Sequence, residues 1–349
     1  SGDGLFTRRC HAWLEERVGV RRALLTHSCT AALEMAALLT IVQPGDEVVM
    51  PSYTFVSTAN AFVLRGAVPV FVDIRPDTLN LDEQRVADAV TSRTKGIVAV
   101  HYAGVPCEMD EIAAVARLHD LVVIEDAAQA LGSTYRSRPA GTLGAMAATS
   151  FHETKNVISG EGGALLINDP ALVPRAEIIR EKGTDRSRFL RGDVDKYSWV
   201  DLGSSFLPSE ITAAFLWAQL EVADRIAAAR LETWRTYYEA LADLERRERI
   251  GRPVVPEHCR HNAHMFYVLV NDRADRASVL RHLNANGINA VFHYVPLHSS
   301  PAGRQYGRPA GKLPHTETLS ERLIRLPLWV GLQPSDIARI VETLTAALP

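Results

Sequence analysis

Residues 44–74, PGDEVVMPSYTFVSTANAFVLRGAVPVFVDI, decide the fold class of this chain. The apolar runs at 46–50 and 68–74 have the continuous, β-branched character of strands that are buried on both faces. Between them, the apolar residues of 56–66 recur at helical spacing. A strand, a helix and a second strand in this order predict an α/β domain with a crossover connection.

The same alternation continues on both sides of this stretch. Further strands are predicted at 96–102, 121–126 and 162–169, and further helices at 30–42, 108–120 and 171–183. The polar segment 183–205 predicts a long loop, and long loops in compact domains are usually functional or disordered. A long helical region at 209–247 follows. The patterns at 264–270, 276–287 and 289–294 then predict a second, smaller α/β unit.

The composition of the chain argues against several classes of protein. It has 349 residues, 47% hydrophobic and 23% charged, which is typical of a soluble globular protein. A net charge of -3 without a basic run disfavours a nucleic-acid partner. No apolar stretch is long enough to span a bilayer, and no N-terminal targeting pattern is present. The four cysteines form no CxxC pair, so they predict neither a disulfide framework nor a zinc site and fit a reducing cytoplasm.

The stretch SFHETKNVISGEGGA (150–164) contains Lys155, one of five lysines in a chain that takes most of its positive charge from arginine. A lysine can lose its proton and attack a carbonyl, whereas an arginine cannot. Lys155 is therefore a candidate for a Schiff-base lysine, and a surface lysine on a loop is the alternative. Ser150 is a candidate phosphate ligand. The glycines match neither a dinucleotide fingerprint nor a P-loop, which disfavours a nicotinamide dehydrogenase and an NTPase.

Two other stretches offer polar groups at the ends of predicted elements. Ser28, Cys29 and Thr30 precede a helix, where free N–H groups form a seat for a phosphate; an ordinary N-cap is the alternative. Asp126 ends a strand and could pair with a protonated ring nitrogen, or could cap a following helix. Gln129 follows on the same turn.

Aromatic and histidine residues complete the candidate site. Phe55 or Tyr53 could stack on a flat cofactor ring, with core packing as the alternative. His293 and His298 could contact substrate; no carboxylate spacing supports a metal pair, so no metal is predicted. A phosphate seat, a stacking aromatic, a strand-end Asp and a lysine on a glycine-rich loop, in that chain order, match the needs of pyridoxal 5'-phosphate (PLP).

At this point the motifs are recognisable. SCTAALEMAALL, VFVDIRPDTLN, HYAG, EDAAQALGSTY, SFHETKN, GEGGALLIND and FHYVPLH, together with the opening stretch, resemble the DegT/DnrJ/EryC1/StrS sugar aminotransferase family over essentially the whole chain. The resemblance implies PLP-dependent transferase fold type I. It implies a large PLP-binding domain with a mixed, mostly parallel sheet between helices over 1–235, and a smaller α/β domain over 236–349. Family members usually carry further residues ahead of SGDG, so we expect truncation or disorder there.

The resemblance also assigns roles to residues of this sequence. Lys155 bonds to the cofactor, Asp126 pairs with its ring nitrogen, Gln129 lies near its ring hydroxyl, Phe55 stacks on its ring, and Ser150 with the amides of Cys29 and Thr30 holds its phosphate. Ser205 stands where relatives often carry an Asn that reaches the partner chain's phosphate, a contact that Ser204 could also make. The predicted substrate contacts are His293, Tyr294, His298, Lys196 and Arg186. The last two lie in the loop at 183–205, for which a solvated charged loop is the alternative.

The function implied is a homodimeric, cytoplasmic enzyme with shared active sites. It would move an amino group from L-glutamate, by way of the pyridoxamine form of PLP, to the C4 keto group of a dTDP-4-keto-6-deoxyhexose, with 2-oxoglutarate as the other product. The alternatives are a C3-specific aminotransferase of the same fold and a non-catalytic PLP-binding protein. A related dehydratase is disfavoured because such enzymes typically place His at the position of Lys155.

Overall fold

The computed structural model describes residues 3–348. Its strands are β1 (Arg22–Thr26), β2 (Glu47–Pro51), β3 (Val68–Val72), β4 (Thr94–Val100), β5 (Val122–Asp126), β6 (Thr134–Tyr135), β7 (Arg138–Pro139), β8 (Met146–Ser150), β9 (Gly163–Ile167), β10 (Cys259–Arg260), β11 (Phe266–Leu269), β12 (Arg308–Pro309) and β13 (Leu323–Leu326). Its helices are α1 (Leu5–Val18), α2 (Cys29–Leu39), α3 (Val56–Val63), α4 (Val86–Ala89), α5 (Met109–Leu118), α6 (Val173–Arg180), α7 (Arg186–Arg191), α8 (Glu210–Leu220), α9 (Ala223–Ala240), α10 (Ala242–Arg246), α11 (Arg273–Ala285), α12 (Pro301–Tyr306), α13 (Pro314–Ser320) and α14 (Pro334–Ala347).

The main sheet has the strand order β1-β9-β8-β5-β4-β2-β3-β12. Strand β9 runs antiparallel to both of its neighbours, while the other pairings are parallel. The predicted α/β class, with a mixed and mostly parallel sheet, is confirmed. Parallel strands have their carboxyl ends at one edge of the sheet, so β5 and β8 deliver Asp126 and Ser150 to the same edge.

Both faces of this sheet are buried, which explains the continuous apolar runs of the sequence. On β4, Ile97 and Ala99 enter the core on one face, and Val98 and Val100 enter the core on the other. This alternation follows from the two-residue period of a strand. Helices α2, α3 and α6 supply apolar residues to the core that contains Val98 and Val100. Helix α2 packs against β8 and β9, which places its start beside these strands.

A second core lies in the C-terminal part of the chain. The antiparallel pair β11–β13 packs with α11, α14 and the end of α9, with buried residues that run from Tyr237 to Leu348. The predicted boundary between residues 235 and 236 falls within α9 and stays a prediction. Beyond β11 the chain returns to the main sheet, where β12 pairs with β3.

Three predicted elements differ in the structure. Residues 289–294, which the sequence assigns to the second α/β unit, form no strand: only an isolated bridge joins Val291 to Arg325, and Val291 and Phe292 are exposed. The loop expected at 183–205 contains the short helix α7, which ends at Gly192 in the left-handed region. The helical region expected at 209–247 is divided into α8, α9 and α10. Within residues 3–348, no helix has the length and apolar character needed to cross a membrane.

Candidate active site

A cavity of about 470 Å³ lies at the carboxyl edge of the main sheet. It brings together ten of the residues singled out in the sequence: Ser28, Cys29, Thr30, Phe55, Asp126, Gln129, Ser150, Lys155, His293 and Tyr294. In open α/β sheets this edge is the usual place for a ligand. Tyr53, the alternative stacking residue, is buried in an aromatic cluster, whereas Phe55 is 54% exposed and available to a ligand.

The start of helix α2 forms the predicted phosphate seat. Ser28 is the N-cap, and its Oγ accepts a hydrogen bond from Ala31 N at 3.1 Å, so the capping alternative is also realised. The first turn leaves the N–H groups of Cys29 and Thr30 without intrahelical acceptors. Gly163, the first residue of β9, approaches this turn so closely that a Cβ there would lie 2.5 Å from Cys29 N. This approach explains one glycine of the GEGGA motif.

Asp126 is held in place from two directions. Thr58 Oγ1 donates to Asp126 Oδ2 at 2.7 Å, and Ala128 N donates to Oδ1 at 3.2 Å. The side chain is 6% exposed but lines the cavity. The alternative in which Asp126 caps a following helix is wrong, because no helix follows it: residues 128–129 and 131–132 form turns. A fixed, nearly buried carboxylate at a cavity wall is suited to pairing with a cationic ligand group.

Gln129 links the two parts of the chain across the cavity. Its Oε1 accepts from Ala103 N at 2.7 Å, and its Nε2 donates to the Tyr294 hydroxyl at 2.9 Å. These bonds fix the orientation of the amide. Tyr294 also lies within 6.2 Å of Phe55, ring centre to ring centre, so these groups form one wall.

Lys155 lies in the turn that follows β8, where its N–H bonds to His152 O at 2.9 Å. Loss of solvation lowers the pKa of Lys155; the negative charge of Asp126 opposes this shift and the positive charge of Arg325 adds to it. A larger fraction of the amine is therefore neutral than for an exposed lysine. A neutral amine can act as a nucleophile or accept a proton.

The C-terminal part contributes polar groups that the sequence analysis missed. His264 and Arg325 line the cavity beside the predicted His293. Burial lowers the pKa of His293 to about 2 and that of His264 well below its ordinary value, so both imidazoles are neutral. His293 Nδ1 shares a 2.8 Å hydrogen bond with the Tyr102 hydroxyl. A charged residue inside the apolar run LIRLPL was the available signal for Arg325.

Four predicted site residues lie outside this cavity. Ser205 and Lys196 are exposed, and Arg186 forms an ion pair with Glu181 at 3.2 Å. His298 bonds to Ser52 Oγ at 2.7 Å and lies 3.3 Å from Glu317, contacts that suggest a structural role. Any role for Ser205, Lys196 and Arg186 in a site shared with a second chain stays a prediction. Within residues 3–348, no cluster of three or more His, Cys, Asp or Glu side chains could hold a metal ion.

The sequence and the fold of this chain are similar to those of known aminotransferases. The model of the DegT/DnrJ/EryC1/StrS aminotransferase family matches residues 3–345. GDP-perosamine synthase of Caulobacter vibrioides is 36% identical over 334 residues, which cover 95% of this chain and 86% of the relative. The crystal structure of the aminotransferase TlmJ from Streptoalloteichus hindustanus has a TM-score of 0.90 at 31% identity, covering 99% of this chain and 91% of the other. PseC of Helicobacter pylori, an aminotransferase involved in the biosynthesis of pseudoaminic acid, has a TM-score of 0.90 at 26% identity, covering 99% and 92%.

Proposed function

This chain belongs to the DegT/DnrJ/EryC1/StrS aminotransferase family, and we propose that it moves an amino group from L-glutamate to the C4 keto group of a dTDP-4-keto-6-deoxyhexose. Membership of this family shows that the protein is a PLP-dependent sugar aminotransferase of fold type I. The observation that carries the proposal is the convergence of Lys155, Asp126 and the start of α2 in one cavity.

The residues present fit PLP. The seat at Cys29 and Thr30 suits a phosphate, and the close approach of Gly163 keeps that seat free of side chains. Asp126 offers a fixed carboxylate for a ring nitrogen, and Phe55 offers an exposed aromatic face. When bound at Lys155, PLP supplies a carbonyl carbon for the amine and a ring that accepts electrons.

The chain's own residues then have distinct tasks. Once an incoming amine had displaced Lys155 from its bond to the cofactor, Lys155 Nζ would be free to accept a proton from the reacting carbon and return it. This role requires a partly neutral amine, and burial favours it by lowering the pKa of Lys155. Asp126, held by Thr58 and Ala128, would place its carboxylate beside the ring nitrogen. The neutral imidazoles of His264 and His293 can form hydrogen bonds with sugar hydroxyl groups without repelling Lys155 through a positive charge.

The nucleotide sugar is proposed as the acceptor class on two grounds. The names of the similar proteins include a GDP-perosamine synthase and an aminotransferase of pseudoaminic acid biosynthesis. The cavity walls also carry hydroxyl and imidazole groups suited to a polyhydroxylated ligand. The choice of dTDP and of C4 rests on the motif resemblance.

The test is a direct assay of product structure. Purified protein is incubated with PLP, L-glutamate and dTDP-4-keto-6-deoxyglucose, and NMR locates the new amine. We expect the amine at C4 and one equivalent of 2-oxoglutarate. An amine at C3, or no transfer from glutamate, would contradict the proposal.

Lys155→Ala should eliminate this transfer and leave the fold intact, because Lys155 makes no side-chain ion pair within residues 3–348 and its burial is itself unfavourable. Lys95→Ala is the matched control, since Lys95 is exposed near the start of β4, and the other end of this strand lies at the cavity. Wild-type turnover in the Lys155 variant would refute the assignment.

A homodimer with shared active sites is part of the proposal. Large exposed apolar side chains concentrate at 189–215, close in sequence to Ser205: Phe189, Leu190, Tyr197, Trp199, Val200, Leu202, Ile211 and Phe215. Exposed apolar surface of this kind is typical of protein interfaces.

The four cysteines are free thiols, which supports the proposal that the enzyme works in the reducing cytoplasm.

A further inference from the structure

His264 lies in the wall of the cavity, and the position of its proton decides what it can bind. Burial lowers the pKa of its imidazole well below the ordinary value, and the positive charges of Lys155 and Arg230 add to this shift, so the ring is neutral. A neutral imidazole carries its proton on one nitrogen and accepts a hydrogen bond at the other. His264 therefore offers the cavity either a donor or an acceptor.

Asn156, the residue after Lys155, contacts one of the two ring nitrogens. Its Nδ2 donates a hydrogen bond to the backbone oxygen of Asn262 at 2.7 Å, and its Oδ1 lies 3.1 Å from His264 Nδ1. The opposite orientation of the amide would bring its oxygen against the Asn262 carbonyl, and two acceptors cannot form a hydrogen bond. The group that faces the imidazole is therefore the amide oxygen, which only accepts.

This contact assigns the proton of His264 to Nδ1. Since Asn156 Oδ1 has no proton to give, the hydrogen bond forms only when Nδ1 is the donor. The second ring nitrogen, Nε2, then keeps its lone pair. Within residues 3–348 this atom makes no hydrogen bond, and it is not sealed off by surrounding atoms. Nε2 is thus an acceptor that a ligand in the cavity can reach.

The segment that carries His264 is itself fixed from two directions. Asn262 Nδ2 donates to the backbone oxygen of Gln129 at 2.8 Å, which ties the segment to the turn after β5. From α9, the buried Arg230 donates through Nε to Ala263 O at 3.1 Å and through Nη2 to His264 O at 2.7 Å. Because the backbone is held in this way, the imidazole can contact a ligand with little further ordering of the chain.

An acceptor nitrogen restricts the ligand groups that His264 can bind. Phosphate and carboxylate oxygens are acceptors themselves, so Nε2 offers them no hydrogen bond. The ring nitrogen of PLP is assigned to Asp126 in the function proposed above. The hydroxyl groups of a sugar can donate and carry no charge, so they suit an uncharged acceptor in a buried wall. Lys155 Nζ is the other donor nearby, and the experiment below separates the two.

We propose that Asn156 is a positioning residue that holds His264 in its Nδ1–H form, so that Nε2 accepts a hydrogen bond from a hydroxyl group of the sugar substrate. The proposal rests on the sugar aminotransferase function proposed above. It gives the loop after β8 two tasks, since Lys155 supplies the amine and the next residue sets the direction of a hydrogen bond to the substrate.

The proton position is tested by nuclear magnetic resonance of apo protein labelled with nitrogen-15 at histidine. The signals of His264 are assigned by their absence in His264→Gln. In the wild type we expect Nδ1 to be protonated and Nε2 to be unprotonated. In Asn156→Ala the acceptor is lost, so a substantial fraction should change to the Nε2–H form. His293 is the internal control, because its Nδ1 bonds to the Tyr102 hydroxyl and its signals should not change.

Two results of this measurement would overturn the assignment. If Nδ1 of His264 stays fully protonated in Asn156→Ala, the amide does not set the proton position. Asn156→Asp keeps an oxygen acceptor beside Nδ1 and should preserve the Nδ1–H form. Loss of that form in both variants would show that the path of the loop, rather than the acceptor, determines the tautomer.

The role in substrate binding is tested by comparing the two half-reactions in single turnovers. In Asn156→Ala we expect the efficiency of the reaction between the pyridoxamine form and dTDP-4-keto-6-deoxyglucose to fall by roughly 3- to 10-fold, the size of one hydrogen bond between uncharged groups. The reaction of the PLP form with L-glutamate should stay near the wild-type rate. An equal loss in both half-reactions would overturn the proposal, because it would show that Asn156 acts on Lys155.

The matched control for these rates is Asn286→Ala. Asn286 is exposed, and its side chain bonds only to His282 O, at 2.9 Å, outside the cavity. This variant should react like the wild type in both half-reactions.

Failure of the proposed function is distinguished by a ligand that cannot react. dTDP-glucose, which has no keto group, and dTDP are titrated by calorimetry into the wild type and Asn156→Ala. We expect the gain in affinity that the sugar provides to shrink by roughly 3- to 10-fold in the variant, even if the wild type transfers no amine. An equal gain in both proteins would refute the contact with a sugar hydroxyl, even if transfer occurs.

Discussion

Replacing Gly163 by Ala should damage the phosphate seat through one added carbon. Gly163 begins β9 opposite Thr26 of β1, and the turn that follows β1 leads into α2. A Cβ at this position would lie 2.5 Å from both Cys29 N and the carbonyl carbon of Ser28. The atoms in the way belong to the backbone, so no side chain can rotate aside.

The size of the effect follows from this geometry. Ordinary contact begins at 3.4 Å, so the turn and the strand must separate by about 0.9 Å. A hydrogen bond at about 2.9 Å would then lengthen to about 3.8 Å, which is beyond a useful interaction. Loss of one or two bonds to a charged phosphate raises the dissociation constant of PLP by roughly 10- to 100-fold. Overpacking should lower the free energy of unfolding by about 1–3 kcal/mol.

The assay titrates apo protein with PLP and, separately, with pyridoxal, which lacks the phosphate. We expect Gly163→Ala to weaken PLP binding and to leave pyridoxal binding nearly unchanged. Gly251→Ala is the control, because a Cβ there would meet Leu269 at an ordinary 3.6 Å. Wild-type PLP affinity in Gly163→Ala, or an equal loss for both ligands, would refute the view that this approach shapes a phosphate seat.

Two further predictions test the assembly and the core. Ile211 is 85% exposed, so Ile211→Asp should convert the proposed dimer to monomers in sedimentation and reduce amine transfer. The control is Leu118→Asp, at a residue of α5 that is 78% exposed, and this variant should remain dimeric. An intact dimer in the Ile211 variant would contradict the proposed interface. Burial lowers the pKa of His11 to about 3, and neutral His11 Nε2 accepts from Leu25 N at 2.9 Å. Below about pH 6.5 the unfolded chain therefore binds a proton at His11 that the folded chain does not bind. The free energy of unfolding decreases as the pH is lowered from about 6.5 to about 3. In urea titrations, the free energy of unfolding should be lower at pH 5 than at pH 7.5 by roughly 2 kcal/mol because of His11. His11→Gln should remove this difference. An unchanged pH dependence in that variant would refute the role of His11.

The cofactor half of the site could be predicted from the sequence because its determinants are local. Asp126 and Ser150 end buried strands, and Lys155 follows within a glycine-rich turn, so position along the chain indicates position in space. Arg325 could not be predicted in this way. Its strand has four residues, is followed at once by Pro327 and is held by pairing with Phe266–Leu269. Such a strand depends on its partner rather than on its own pattern.

The groups that line the cavity come from two parts of the chain, and this division suggests how the site could change its substrate. Among the residues assigned to PLP, Asp126 and Ser150 end buried strands of the main sheet, and Cys29 and Thr30 begin α2. Arg325, His264 and His293 come from the C-terminal part, whose strands β11 and β13 form a separate two-stranded sheet. Substitutions there alter the cavity wall without disturbing the phosphate seat or Asp126. We therefore expect Arg325→Gln to retain wild-type affinity for PLP in a titration of the apo protein. A loss of PLP affinity in this variant would show that the two halves of the cavity are not independent.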